Sequence, residues 1–236
     1  MVNFSNFKLL AFDMDGTIVD TWPVLDATEA ELSEKHGIPK KEHLHVEWED
    51  FITKNPQGTY FDFIKFRMDR AGAKGVTPEQ YHDQWREVYG RRLVRETRFK
   101  ANADVFLNHL KSMGHDMALV TSAPRHAVDA MGDNPHLAAV SFVKTFTHII
   151  TSNEVTSRKP DPEPYLLAME RFDIQNPDEV LVFEDSLTGV QAARNAGITN
   201  IVVVLDAASN HEREKLVELS KWQITDFAEL LPQTKP

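Results

Sequence analysis

The stretch Leu9-Leu10-Ala11-Phe12-Asp13-Met14-Asp15-Gly16-Thr17 joins an apolar run to two carboxylates and a glycine turn. The apolar run predicts a buried strand, which would deliver Asp13 and Asp15 at its C-terminal end. Open α/β sheets bind ligands at that edge. Two carboxylates at such a position are costly unless a cation or a reaction uses them. The stretch therefore predicts an α/β fold with a functional site at the tip of its first strand.

Further polar side chains follow later apolar runs or lie in a loop between them. In chain order, the segments are Leu119-Val120-Thr121-Ser122, Ser157-Arg158-Lys159-Pro160-Asp161-Pro162 and Val180-Leu181-Val182-Phe183-Glu184-Asp185-Ser186. Each has an ordinary interpretation when taken alone: Ser122 as a helix cap, Lys159 as a solvated surface residue, and Glu184-Asp185-Ser186 as the start of a helix. Their order after the first aspartate pair favours one shared site.

Apolar, β-branched runs alternate with amphipathic helical patterns through much of the chain. The predicted strands are residues 8–13, 116–121, 147–150, 180–184 and 200–204. The predicted helices between them are residues 102–113, 162–172 and 187–196. This alternation implies a parallel sheet with helices on both faces, joined by right-handed crossovers.

Residues 19–95 carry helical patterns and no convincing strand. Residues 24–36 and 60–71 have helical periodicity. A third helix is predicted to begin at Thr77-Pro78, with a threonine cap and a proline in the first turn. We therefore expect a helical insertion between the first strand and the rest of the sheet.

With its four motifs in this order, the chain resembles the haloacid dehalogenase-like (HAD) phosphohydrolase superfamily. The resemblance covers residues 1–18 and roughly 96–236, and it implies that these residues form a Rossmann-like α/β core domain. It also implies that residues 19–95 form the small helical cap of subfamily I. The implied activity is Mg²⁺-dependent hydrolysis of a phosphomonoester of a small metabolite through an aspartyl phosphate.

The resemblance gives the two aspartates of the first motif different roles. Asp13 would be the nucleophile and a metal ligand. Asp15 would protonate the leaving oxygen and then activate the water that hydrolyses the intermediate. Family members that cleave carbon–halogen bonds or phosphonates usually lack this second aspartate. The presence of Asp15 therefore favours phosphate esters as substrates.

The other three motifs would supply countercharge and metal ligands. Thr121, Ser122 and Lys159 would bind the phosphoryl group, the lysine as a compact point charge. Glu184 and Asp185 would hold Mg²⁺ together with the first aspartate and the main-chain carbonyl of the second.

Two other functions remain open. A β-phosphoglucomutase-like phosphomutase would need a cationic phosphate site in its cap, for which residues 54–60, Lys65 and Arg67 are the candidates. A non-catalytic phosphometabolite-binding protein or a phospho-acceptor domain would be a different class. An acceptor domain has a different motif order and about half this length. We expect Thr21 and Trp22 to line the cleft below the cap, with hinge packing as the alternative for Trp22.

Composition excludes several other classes. The 236 residues carry a formal charge of −10, which argues against nonspecific nucleic-acid binding. The absence of cysteine excludes disulfides, thiolate zinc sites and a cysteine nucleophile, and it fits a reducing cytosol. No apolar stretch approaches the ~20 residues needed to span a bilayer. We expect a soluble cytoplasmic enzyme that binds a small phosphorylated metabolite and no nucleic acid or membrane, with its oligomeric state left open.

Overall fold

The computed structural model describes residues 2–38, 44–55, 58–72, 75–205 and 212–232. Its strands are β1 (Leu9–Phe12), β2 (Val19–Asp20), β3 (Arg98–Phe99), β4 (Met117–Val120), β5 (His148–Ile150), β6 (Val180–Glu184), β7 (Ile201–Val204) and β8 (Trp222–Ile224). Its α-helices are α1 (Trp22–His36), α2 (Leu44–Lys54), α3 (Tyr60–Ala71), α4 (Pro78–Glu96), α5 (Ala103–Ser112), α6 (Arg125–Gly132), α7 (Phe142–Thr145), α8 (Glu163–Arg171), α9 (Leu187–Asn195) and α10 (Arg213–Leu219).

Six strands form one parallel sheet in the order β5-β4-β1-β6-β7-β8. The central strand is β1, where Leu10 lies opposite Met117 of β4 on one side and Leu181 of β6 on the other. The C-terminal ends of β4, β1 and β6 therefore lie side by side. The predicted α/β class and all five predicted strands are confirmed.

Both faces of the sheet are covered, which is why β1, β4 and β7 are apolar at every position. Leu10 and Phe12 of β1 join a core cluster with α5, while Leu9 and Ala11 join a second cluster with α8 and α9. The Phe12 and Phe183 rings stack 4.3 Å apart on neighbouring strands. This packing fixes the register of β1 against β6, because a slip by one residue would exchange the two faces.

Helices α1 to α4 pack around their own apolar cluster, which includes Leu32, Phe63 and Tyr81. We refer to these four helices as the cap. Capping boxes at Thr59 and Thr77 begin α3 and α4, as the sequence predicts for α4. Helix α2 was not predicted.

The chain leaves and re-enters the sheet domain through a short antiparallel ladder. Val19 of β2 lies opposite Phe99 of β3, and Asp20 lies opposite Arg98. The sequence did not predict these strands, because two residues carry no readable alternation. The domain limits of residues 1–18, 19–95 and 96–236 stay a prediction. No helix among the described residues is both long and apolar enough to cross a membrane.

Candidate active site

Two neighbouring strand ends, those of β1 and β6, bring the predicted acidic residues together. Asp13 directly follows β1, and its backbone N–H donates to the Phe183 carbonyl of β6 at 3.0 Å. Glu184 is the last residue of β6, and Asp185 follows it. One carboxylate oxygen from each of Asp13, Glu184 and Asp185 lies within 4.8 Å of the other two. The order of the strands, with β1 beside β6, is what assembles this cluster.

Lys159 lies at the centre of the cluster and is buried, so the alternative of a solvated surface lysine is wrong. Its Nζ donates to Asp13 Oδ1 at 2.7 Å, to Glu184 Oε1 at 2.5 Å and to the Val120 carbonyl at 2.9 Å. All three hydrogens of the ammonium group are therefore used. The lysine joins the ends of β4, β1 and β6.

The cluster holds more negative than positive charge. Burial raises the pKa of Asp13 to about 8; Lys159 works against this shift, and Glu184 adds to it. Burial alone would lower the pKa of Lys159, but Asp13 and Glu184 raise it overall. One ammonium thus faces three buried carboxylates, which is a set of oxygen donors that fits a divalent cation.

Asp15 lies half-buried beside this cluster, at the mouth of the site. Burial raises its pKa, while a hydrogen bond with Thr21 and the charge of Lys159 lower it. A carboxyl group with a raised pKa is suited to carry a proton at neutral pH. Burial thus raises the pKa of both aspartates of the first motif, and the division of roles between them stays a prediction.

The turn after Asp15 fits only glycine at position 16. Gly16 has a φ of +81°, and a Cβ at this residue would lie 2.0 Å from Asp185 Oδ2. The next residue, Thr17, donates its hydroxyl to Asp185 Oδ1 at 2.9 Å. The turn therefore holds Asp185 in place. Sequence reasoning missed this role of Thr17, whose partner is 168 residues away in the chain.

Tyr165 of α8 holds Glu184 in place from within the core, and the sequence analysis did not predict this residue either. The side chains of Tyr165 and Glu184 are fully buried, and the tyrosine hydroxyl donates to Glu184 Oε1 at 2.7 Å. The Lys159 ammonium lies 5.1 Å from the centre of the tyrosine ring. The helical pattern of residues 162–172 could have marked Tyr165 as inward-facing, but not as a partner of the acidic pair.

The end of β4 supplies the predicted hydroxyls. Thr121 is buried, and its Oγ1 accepts a hydrogen bond from the Ala123 N–H at 3.0 Å. Ser122 is exposed and lines the cavity described below. The alternative of Ser122 as a helix cap is wrong, because Pro124 occupies the position before α6.

A cavity of about 860 Å³ lies between the strand ends and the cap. Its floor contains the motif residues Asp13, Asp15, Thr121, Ser122, Lys159 and Asp185, whereas Glu184 lies beneath it. Thr21 and Trp22 line the cavity, as expected for residues at the exit of the first strand. On the cap side its aromatic lining consists of Trp48, Tyr60, Trp85 and Tyr89.

The candidate cations of the cap do not form the phosphate site that a phosphomutase would need, among the residues that the structure describes. Arg67 faces inward and binds the buried carboxylate of Glu29 at 2.5 Å, because a buried guanidinium needs a carboxylate partner. Burial opposes the charge of Arg67, but Glu29 raises its pKa. Lys54 pairs with Asp50 at 2.7 Å on the surface. Lys65 lines a separate groove, and residues 56 and 57 lie outside the described part of the chain.

A parallel α/β sheet with a helical cap and this order of acidic, hydroxyl and lysine residues defines the haloacid dehalogenase-like hydrolases. The sequence model of that family matches residues 7–197, and the chain belongs to it. It is an enzyme of the phosphatase type within the family, as the sequence predicts.

Individual relatives support the same assignment. The chain is similar to the phosphorylated carbohydrates phosphatase of Thermotoga maritima, with 30% identity over 86% of this chain and 88% of the relative. It is 27% identical to a phosphoglycolate phosphatase of Haemophilus influenzae, over 96% of this chain and 98% of the relative. Among solved structures, a candidate β-phosphoglucomutase from Thermotoga maritima superimposes with a TM-score of 0.70 and 27% identity, over 92% of this chain and 94% of that one.

Proposed function

We propose that the protein is a Mg²⁺-dependent phosphomonoester hydrolase that acts on a small phosphorylated metabolite through an aspartyl phosphate on Asp13. The observation that carries this proposal is the position of Asp13. Its carboxylate is held by Lys159 at 2.7 Å, lies within 4.8 Å of Glu184 and Asp185, and opens into the same cavity as Asp15.

In the first proposed step, an Asp13 oxygen attacks phosphorus and the bond from phosphorus to the ester oxygen breaks. Asp15 gives its proton to the departing alkoxide, so that an alcohol leaves. In the second step Asp15, now ionised, takes a proton from water, which attacks the phosphorus of the acyl phosphate. Inorganic phosphate leaves, and both aspartates return to their starting states.

The charges of the site determine how much countercharge a bound cation must supply. Asp13 attacks only when ionised, yet burial and Glu184 favour its protonated form. Lys159 compensates for part of this negative charge. Asp13, Glu184 and Asp185, with the main-chain carbonyl of Asp15, would hold Mg²⁺. When bound, Mg²⁺ supplies the remaining countercharge for the nucleophile and the phosphoryl oxygens.

The relatives suggest the kind of substrate. The curated proteins cited above are named for phosphatase action on phosphorylated carbohydrates and on phosphoglycolate, and we propose a substrate of this small, phosphorylated type. We further propose a cytoplasmic location, which the absence of cysteine supports.

A phosphomutase is the second candidate, because the chain resembles a candidate β-phosphoglucomutase in both sequence and fold. Such an enzyme must bind two phosphate groups at once. The buried pairing of Arg67 with Glu29 removes one of the cap cations that were candidates for this purpose. The hydrolase therefore remains the better-supported proposal.

Phosphate release from a panel of phosphomonoesters, with Mg²⁺ and with EDTA, tests the proposal. Wild type should release phosphate only with Mg²⁺, and Asp13→Asn should be inactive while remaining folded by circular dichroism. The matched control is Asp133→Asn, an exposed aspartate at the end of α6 that does not line the cavity; it should retain wild-type rates. Activity in Asp13→Asn would refute the mechanism. Conversion of a sugar 1-phosphate to the 6-phosphate, without phosphate release, would favour the mutase.

A further inference from the structure

Four aromatic side chains form a continuous wall on the cap side of the cavity. Tyr89 and Trp85 of α4 stack with ring centres 4.5 Å apart and planes 16° from parallel. Trp85 lies 4.2 Å from Tyr60 of α3, and Tyr60 lies 5.5 Å from Trp48 of α2. All four line the cavity. We call this surface the aromatic wall.

The aromatic wall begins next to the proposed proton donor. Tyr89 and Asp15 line the same cavity, and the negative charge of Asp15 adds to the effect of burial in raising the pKa of Tyr89. Since Asp15 would protonate the leaving oxygen, the leaving group must lie in the cavity that Asp15 and Tyr89 both line. The rest of that group then has the aromatic wall beside it.

The wall is held rigidly from behind. The Tyr60 hydroxyl donates to Glu29 at 2.8 Å, and Glu29 also binds Arg67 and Tyr81 inside the cap. The position of the Tyr60 ring is thereby fixed before any ligand enters. A pre-positioned aromatic surface loses little conformational entropy when it binds a flat ligand.

The charges on the cap side of the cavity do not favour a second anionic group on the substrate. On α4, Arg86 lies between the acidic residues Asp83 and Glu87, and all three line the cavity. The pKa of His82 is lowered by burial and by Arg86, which disfavours the charged form of this histidine. The cap side thus offers an aromatic surface, with one basic and two acidic side chains of α4 beside it.

We propose that the leaving group of the physiological substrate contains a ring without an anionic substituent, and that one face of this ring packs on the aromatic wall. This inference rests on the proposed hydrolase function. Sugars, cyclitols and aryl alcohols share this chemistry, whereas the two-carbon acid of phosphoglycolate does not.

The test compares kcat/KM for esters that differ in the ring while the leaving alcohols remain similar. Ethyl phosphate is the reference, 2-phenylethyl and 2-cyclohexylethyl phosphate carry an aromatic and an aliphatic ring, and glucose 6-phosphate carries a polar one. We expect at least one ring ester to exceed ethyl phosphate about tenfold or more, because a ring that packs on an aromatic side chain adds binding energy; tenfold corresponds to about 1.4 kcal/mol. Which ring ester leads would distinguish an aryl alcohol from a carbohydrate. Phosphoglycolate should fall below the best ring ester.

Substitutions then assign the preference to the aromatic wall. Tyr89→Leu should reduce the ratio of ring ester to ethyl ester about tenfold, and Tyr89→Phe should keep it. The matched control is Phe66→Leu, which also replaces a cap aromatic by leucine but lies in a separate groove; its ratio should equal that of wild type.

A binding measurement covers the case in which Tyr89→Leu does not fold. Calorimetric titration of Asp13→Asn should show tighter binding of the preferred ring ester than of ethyl phosphate. Equal kcat/KM for ring esters and ethyl phosphate, or a leading rate on phosphoglycolate, would overturn this inference and leave the hydrolase proposal intact. No hydrolysis of any ester with Mg²⁺ would instead refute the hydrolase proposal itself.

Discussion

Replacing Tyr165 by phenylalanine removes a single hydrogen bond from beneath the candidate active site. The hydroxyl of Tyr165 donates to Glu184 Oε1 at 2.7 Å, and both side chains are fully buried. Phenylalanine keeps the ring that packs 5.1 Å from the Lys159 ammonium. Glu184 Oε1 also keeps its bond from Lys159, so the oxygen is not left without a donor.

The size of the effect follows from these contacts. A hydrogen bond to a charged group contributes about 1.5–3 kcal/mol to stability. Because Glu184 retains Lys159 as a donor, we expect a loss of about 1.5–2 kcal/mol in the free energy of unfolding. For a chain of this size that corresponds to a Tm lower by roughly 3–8 °C. We also expect kcat to fall about tenfold, since Glu184 positions the lysine that holds the nucleophile.

A comparable hydrogen bond in the cap allows the effect on stability to be separated from the effect on catalysis. Tyr81 donates to Glu29 at 3.0 Å inside the cap, and it is also buried and outside the cavity lining. Tyr81→Phe should lower the Tm by a similar amount while kcat stays at the wild-type value. Melting curves in EDTA and steady-state kinetics over a range of Mg²⁺ concentrations measure both effects. Wild-type kcat in Tyr165→Phe, with equal Tm losses in the two variants, would refute a positioning role for Tyr165.

Three further perturbations test the charges and the packing of the site. Lys159→Met should abolish turnover and phosphate inhibition together, whereas Lys111→Met, an exposed lysine on α5, should match wild type in both assays. Gly189→Ala should lower kcat at least tenfold and stability by about 1–3 kcal/mol, because its Cβ would lie 2.0 Å from the Glu184 carboxylate; an unchanged enzyme would contradict this packing. The pKa of Asp13 is raised to about 8 in the fold, against 3.8 in the unfolded chain, so the folded state binds the extra proton between these values. In EDTA, the free energy of unfolding of wild type relative to Asp13→Asn should therefore fall as pH rises from about 4 to 8. Chemical denaturation measures this difference, and a flat or rising difference would count against a raised pKa of the buried Asp13.

The central strands could be predicted because burial on both faces makes β1 and β4 apolar at every position and β6 apolar up to Glu184. The runs before Asp13 and Glu184 end in carboxylates, and this contrast identified β1, β6 and the site between them. Strand β8 was not predicted, because Trp222–Ile224 is a three-residue edge strand with a partly exposed start. The pairing of such a short strand depends on contacts with residues that are distant in the sequence.

The supporting residues of the site were beyond sequence reasoning for a related reason. Thr17 and Tyr165 carry no chemistry of their own that distinguishes them from ordinary core residues. Their partners, Asp185 and Glu184, are brought to them only by the strand order. Arg67 shows the opposite error: its charge suggested a ligand site, whereas its position on the inward face of α3 made it a partner for a buried carboxylate.

The distribution of charge argues for a division of labour between the two parts of the molecule. Around Asp13 the fold concentrates buried carboxylates and one ammonium. In the proposed mechanism these groups bind a cation and the phosphoryl group, and they do not contact the rest of the ester. The cap presents uncharged aromatic rings, which would select a leaving group by its shape and not by its charge. Changing the cap wall should therefore alter which ester is hydrolysed without altering the dependence on Mg²⁺. Changing Lys159 should lower the rate on every ester alike, since all esters share the phosphoryl group.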